Sequence, residues 1–172
     1  MTFGHGTADR AEIAALLSGA GVQALVDVRS APGSRRNPDT AREEMQRWLP
    51  EAGVGYRWEP RLGGWRRATG NSPDIGLRNV SFRSYAGYMR SEDFQAGIDE
   101  LLTADQQVAV MCAESLWWRC HRKLIADHLT LVRGVEVRHL MHDGRLHDHR
   151  PTAEARVAGD VLIYDRLPAE PE

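Results

Sequence analysis

Two cysteines, Cys112 and Cys120, stand with seven residues between them, and the second runs directly into His121 and Arg122. Cys112 closes an apolar run, Val108 to Cys112 (VAVMC), that reads as a buried strand. A helix is expected to follow from about Arg119 to Val132, with Gly134 as its stop. A thiol beside a helix N-terminus meets free N–H groups and the positive end of the helix dipole, which favour its thiolate. Arg119 and Arg122 add positive charge. The same geometry binds oxyanions, because backbone N–H groups and guanidinium converge on one point. Two kinds of chemistry fit: a thiolate attacking a bound electrophile, or an anion held beside an inert thiol.

Each residue has a sharper and a plainer reading. Cys112 is a nucleophile or ligand contact, or a small buried hydrophobe at a strand end. Cys120 is structural or a resolving partner for Cys112. His121 is a proton donor near neutral pH, or a partly buried, hydrogen-bonded ring. Glu114 is a general acid or base, or a structural carboxylate paired with an arginine. No metal or other cofactor is expected. The alternative is a metal set of Cys112, Cys120 and His121 with His5 as fourth ligand, although a seven-residue gap is not a familiar zinc spacing. His139, His142, His147 and His149 surround an Asp143-Gly144 hairpin turn and are expected to be solvated.

The elements that must position these groups alternate strand and helix. Thr2 to His5 reads as a short strand, followed by a helix over Ala8 to Ser18 capped by Thr7. Val22 to Val28 is a strand covered on both faces. Arg29 to Pro38 is a loop, Asp39 or Thr40 begins a helix to about Leu49, and Val54 to Trp58 is a further strand. Glu59 to Val80 lacks periodicity, as functional or mobile loops do. Helices follow over Phe82 to Met89 and Ser91 to Leu102, then the Val108 strand, the long helix, a strand at Val135 to Met141, and a weak one at Val161 to Tyr164. This order implies a three-layer α/β fold over residues 1–172: a mostly parallel sheet with helices on both faces, plus a C-terminal hairpin, in one domain.

In such sheets ligands sit beyond the carboxyl ends of the strands. The residues just past three strand ends are Gly4-His5-Gly6, Asp27-Val28-Arg29-Ser30 and Cys112-Ala113-Glu114. Asp27 is expected to pair with an arginine or cap a neighbouring loop. His5, Arg29, Ser30, Arg35 and Arg36 are the expected anion contacts, with Arg119 and Arg122. Trp65, Trp117 and Trp118 could stack on bases, close a lid over the site, or form a partner interface.

An apolar content of 42% with 27% charged residues excludes wholesale disorder. No apolar run approaches the ~18 residues that span a bilayer. The first residues lack the pattern of a secretory signal, and two cysteines make no disulfide framework, so a cytoplasmic protein with reduced thiols is expected. A net charge of −2 argues against general polyanion binding, yet Arg29 to Arg90 holds twelve Arg against six acids. Lys123 is the only lysine, so this richness fits codon preference as well as function.

Several stretches together resemble a known family: Gly4-His5, Asp27-Val28-Arg29-Ser30-x-Pro32, Leu62-Gly63-Gly64, Phe82-Arg83-x-Tyr85-Ala86, and Met111-Cys112-Ala113-Glu114 with Cys120-His121-Arg122. The chain is similar, from Thr2 to about Leu140, to the bacterial and archaeal family called domain of unknown function 488. It differs in Gly6, where many members carry Ser, and in the Trp117-Trp118 pair. The order Asp27-Val28-Arg29, then Cys112, helix, Gly134 and strand also has a distant likeness to the rhodanese-type sulfurtransferase layout. The resemblance implies fold and site rather than reaction. The functional expectation is a cysteine-centred, anion-binding site, suited to a transferase or hydrolase acting on a small anionic ligand or nucleotide. The alternative is a nucleic-acid or nucleotide module using the Arg- and Trp-rich face.

Overall fold

Strand β4 (Val108–Cys112) explains the architecture in five residues. Its side chains alternate between two cores, Ala109 and Met111 into one, Val108, Val110 and Cys112 against the other. A strand buried on both faces needs helices on both sides of the sheet, and the computed structural model, which describes residues 1–33, 35–68 and 70–166, has them. One face is covered by α1 (Arg10–Gly19) and α2 (Arg42–Glu51), through Ile13, Leu17, Met45, Trp48 and Leu49. The other is covered by α3 (Val80–Tyr88), α4 (Glu92–Leu102) and α5 (Arg122–Leu131), through Tyr85, Phe94, Ile98, Leu124 and Ile125.

The six-stranded sheet runs β3-β2-β4-β1-β5-β6, with β1 (Thr2–Gly4), β2 (Ala24–Asp27), β3 (Gly55–Trp58) and β5 (Arg138–Leu140) parallel to β4. Only β6 (Leu146–Asp148), paired with β5 across the Asp143-Gly144 turn, is antiparallel. A separate hairpin of β7 (Ala155–Ala158) and β8 (Val161–Tyr164) packs its Leu162 and Tyr164 into the α3–α5 core. The expected three-layer, mostly parallel sheet with a C-terminal hairpin is therefore the observed one. The register pairs Gly4 with Cys112 and Asp27 with Met111, so the expected site segments leave the sheet side by side.

Local boundaries differ where a polar side chain outcompetes the simplest pattern. Helix α1 is capped by Asp9, not Thr7: Asp9 accepts the Glu12 N–H while Glu12 accepts that of Asp9. Helix α2 starts at Arg42, because Pro38–Thr40 first makes a 3₁₀ turn and Ala41 is extended. The expected Arg119 start of α5 is also late. Trp117–Arg119 is a 3₁₀ turn, Cys120 is extended, and the α-helix begins at Arg122. That interruption turns the Cys120 thiol back toward Cys112.

Candidate functional site

Beyond the ends of β1, β2 and β4 lies a cleft of about 300 Å³, lined by His5, Arg29, Ser30, Gly64, Trp65, Cys112 and His121 among others. Larger hollows exist elsewhere on the surface, but this one sits where parallel strands deliver loops and where the reactive residue types collect. Cys112 is half-buried on its floor, and Cys120 is buried beside it.

His121 joins the two thiols. Its Nε2–H donates to the Val28 carbonyl at 3.1 Å, which leaves Nδ1 as a lone pair. That nitrogen faces Cys120 Sγ at 3.6 Å and Cys112 Sγ at 3.9 Å. The thiols differ in environment. Cys120 is the acidic one: its pKa is held well below the ordinary thiol value, first by a hydrogen bond from Cys112 and then by His121 and Arg122. The Arg122 backbone N–H also reaches its sulfur at 3.5 Å. Cys112 is pushed well above the ordinary value, because its S–H is held by Cys120 and because it is buried. The surroundings thus favour ionisation at Cys120, the thiol nearer the start of α5.

Two glycines make this packing possible. A side-chain carbon at Gly64 would lie 2.6 Å from His121 Nδ1, and one at Gly4 would lie 2.0 Å from the Glu114 carbonyl. Tyr85 backs the ring from the other side, edge-on at 5.1 Å, while its hydroxyl holds the Leu62 carbonyl at 2.8 Å. The Leu62-Gly63-Gly64 and Tyr85-Ala86 stretches therefore act on the same imidazole. Tyr85 was not among the residues expected at the site, although it stands in one of the stretches that carry the family resemblance.

The expected anion contacts divide. Arg29 lines the cleft but spends its fork on Asp27, with Nε to Oδ1 at 2.8 Å and NH2 to Oδ2 at 2.6 Å. Tyr56 donates to the same carboxylate at 2.7 Å. The remaining Arg29 NH1 donates to His5 Nε2 at 3.3 Å, and His5 Nδ1–H donates to the Gly6 carbonyl at 2.9 Å. His5 is consequently neutral, its pKa lowered to about 4 by burial and by Arg29. With both ring nitrogens engaged, it does not offer a fourth metal ligand. Ser30 accepts the Trp65 N–H at 2.9 Å and shapes the wall. Arg35, Arg36 and Arg119 are exposed and lie outside the cleft lining, and Glu114 is an exposed loop residue whose carboxylate caps the Leu116 N–H at 3.1 Å.

Arg122 is the unusual cation. It is 1% exposed, donates to Thr2 Oγ1 at 3.2 Å and to the Glu114 carbonyl, and has an Nε without a partner. Among the described residues no carboxylate lies within ion-pair distance of it, and its charge acts on the Cys112 and Cys120 thiols.

The tryptophans also separate. Trp65 is 79% exposed at the cleft rim and Trp118 is half-exposed. Trp117 instead lies flat on His139, 4.0 Å between ring centroids. Of the four histidines expected to be solvated, His142 and His147 are exposed, but His139 and His149 are a correction: they are buried and hydrogen-bonded to each other at 3.0 Å. Their partner is Asp127, which projects from α5 and whose distance in sequence hid the contact.

Among the described residues no helix is long and apolar enough to cross a membrane. No curated protein and no solved structure matches the chain. A family model, described as domain of unknown function DUF488, matches residues 9–129. That span runs from the cap of α1 to the last turns of α5 and carries Asp27, Arg29, Gly64, Tyr85, both cysteines, His121 and Arg122. The chain therefore belongs to the DUF488 family.

Proposed function

We propose that the chain is a cysteine-dependent transferase or hydrolase acting on a small anionic substrate in this cleft, with Cys112 as the attacking sulfur. The observation that carries the reading is the pairing of a cleft-facing thiol with the bare Nδ1 of a histidine whose other nitrogen is fixed by a carbonyl. In the reaction Cys112 gives its proton to His121 Nδ1 as the sulfur–substrate bond forms and the bond to the leaving group breaks. His121 then passes that proton to the leaving group, and water or a second acceptor releases the product from sulfur. The Val28 carbonyl and the Cys120 thiolate both favour the transient imidazolium. The buried Arg122 and the start of α5 supply the positive field that suits an anionic group. The 3.9 Å sulfur–nitrogen distance is long for a proton transfer and is of the kind that tightens when substrate is bound.

The test is a panel of sulfur donors, phosphate esters and nucleotides, read by protection of Cys112 from alkylation and by a mass adduct on its peptide. Cys112→Ser is expected to abolish turnover with an unchanged melting temperature. A fully active Ser variant would refute the reading.

A second reading, a nucleotide or single-stranded nucleic-acid module, is favoured by the exposed Trp65 indole at the rim. Against it, half of the twelve arginines in the basic middle of the chain are engaged from within. Arg29, Arg42, Arg47, Arg57, Arg61 and Arg90 all lie in ion pairs. Retention on a single-stranded oligonucleotide at low salt, lost steeply as salt rises, is its signature.

A further inference from the structure

The Cys112–Cys120–His121 cluster has a property that a nucleophile alone does not require: three soft donor atoms converge on one point. Cys112 Sγ, Cys120 Sγ and His121 Nδ1 all lie within 4.8 Å of one another. Zinc bonds of about 2.3 Å to sulfur and about 2.0–2.1 Å to nitrogen, at tetrahedral angles, put sulfur and nitrogen about 3.5 Å apart on the coordination sphere. The two sulfur–nitrogen distances here are 3.6 and 3.9 Å, so a cation enters with small side-chain shifts.

The surroundings are those of a ligand set. His121 is locked in the tautomer that points a lone pair inward, through Nε2–H to the Val28 carbonyl. The Arg122 backbone N–H supports the Cys120 sulfur. Gly64 and Tyr85 fix the ring between them. The fourth direction opens into the cleft, since His5 is engaged elsewhere.

We infer that Cys112, Cys120 and His121 form a binding site for one thiophilic divalent cation of the zinc type, with its fourth position open to the cleft. This deepens the thiol-enzyme reading and rests on it for its consequence. The lone pairs that would hold the cation are those that attack substrate and carry the proton, so the cation caps the site reversibly. Ligation needs both sulfurs as thiolates and Nδ1 unprotonated, and occupancy therefore weakens as pH falls.

The experiment uses the full chain, reduced and freed of metal. Cobalt(II) is titrated in while sulfur-to-cobalt charge transfer and tetrahedral ligand-field bands are followed. Zinc then displaces it, and alkylation of Cys112 is timed with zinc and after chelation. The expected result is saturation at one equivalent, loss of the bands on adding zinc, and Cys112 alkylation slowed about tenfold or more until chelator restores it. Cys112→Ser and His121→Ala are each expected to weaken binding by more than the ~10–100-fold typical of outer-shell changes. Because Cys112 is half-buried, its Ser variant keeps the test valid even where His121→Ala misfolds.

Absence of charge transfer, or bands undiminished in Cys112→Ser, would overturn the cation site. If the cation binds as stated but Cys112→Ser retains turnover in the stripped protein, the nucleophile reading fails and the site stands. Turnover that depends on Cys112 with no cobalt signature gives the reverse.

Discussion

Helix α5 carries a polar cluster on each of two sides, and the two are wired differently. On the hairpin side, Asp127 accepts from His149 Nε2, from the Thr152 N–H and hydroxyl, and from the Tyr164 hydroxyl. The chain continues through His149 to His139 at 3.0 Å, from Thr2 Oγ1 to His139 Nδ1 at 2.6 Å, and from Arg122 NH1 to Thr2 at 3.2 Å. From Asp127 to Thr2 each donor in this relay meets an acceptor. At the amino end of the same helix, the thiols and His121 hold a bare lone pair and an open face. A closed network rigidifies; an open one reacts or binds. Arg122 belongs to both, and through it the closed side fixes the position of the open one.

Breaking the closed side should be the costlier change. Asp127→Ala strands four buried donors and is expected to destabilise by about 3–5 kcal/mol, read from chemical denaturation midpoints. A loss below ~1 kcal/mol would mean the network is not a structural keystone. At the open side, Gly64→Ala pushes a methyl into His121 and should cost about 1–3 kcal/mol. It should also slow Cys112 chemistry, and Gly64→Ala with both stability and alkylation rate unchanged would contradict the packing.

The closed network also has a pH signature. Burial, then the neighbouring His149 and Arg122, lowers the His139 pKa to about 3. The unfolded chain binds that proton near 6.5 while the folded one does not. Stability is thus complete above about pH 6.5 and falls as pH drops below it, by on the order of 1–2 kcal/mol at pH 5. His139→Gln should flatten that limb; an unchanged limb would place the acid sensitivity elsewhere. Smallest in stability is Cys112→Ser, expected within about 1 kcal/mol of the parent because the residue faces the cleft. Measured beside Asp127→Ala, it separates a site that works from a network that holds.

Much of the open side was legible in the sequence because its signals are local. Val108 to Cys112 reads as a strand from its apolar run, and the parallel-sheet rule brings Gly4-His5, Asp27-Arg29 and Cys112 to one edge. The Cys120-His121-Arg122 triplet announces itself. What stayed hidden is non-local. Asp127 lies within an ordinary helical pattern, and His139 and His149 flank a turn that looks solvated, so nothing in spacing alone predicts their meeting. The different surroundings of the two thiols were likewise invisible, because the break at Cys120 that delays the start of α5 is not marked in the sequence. Arg29 read as an anion contact: Asp27 was expected to pair with an arginine or cap a loop, but the sequence does not say that Arg29 is the partner it takes.

In the proposed reading Cys112 is a reactive sulfur on an open cleft floor, with His121 to take its proton. The most direct test is alkylation of the folded, chelator-treated protein across pH, with Cys112 and Cys120 resolved by peptide mass. Cys112 should be modified first at neutral pH, about tenfold or more ahead of the buried Cys120, and Gly64→Ala or His121→Ala should slow it. Cys112 remaining inert until the protein unfolds, or Cys120 reacting before it, would contradict the account.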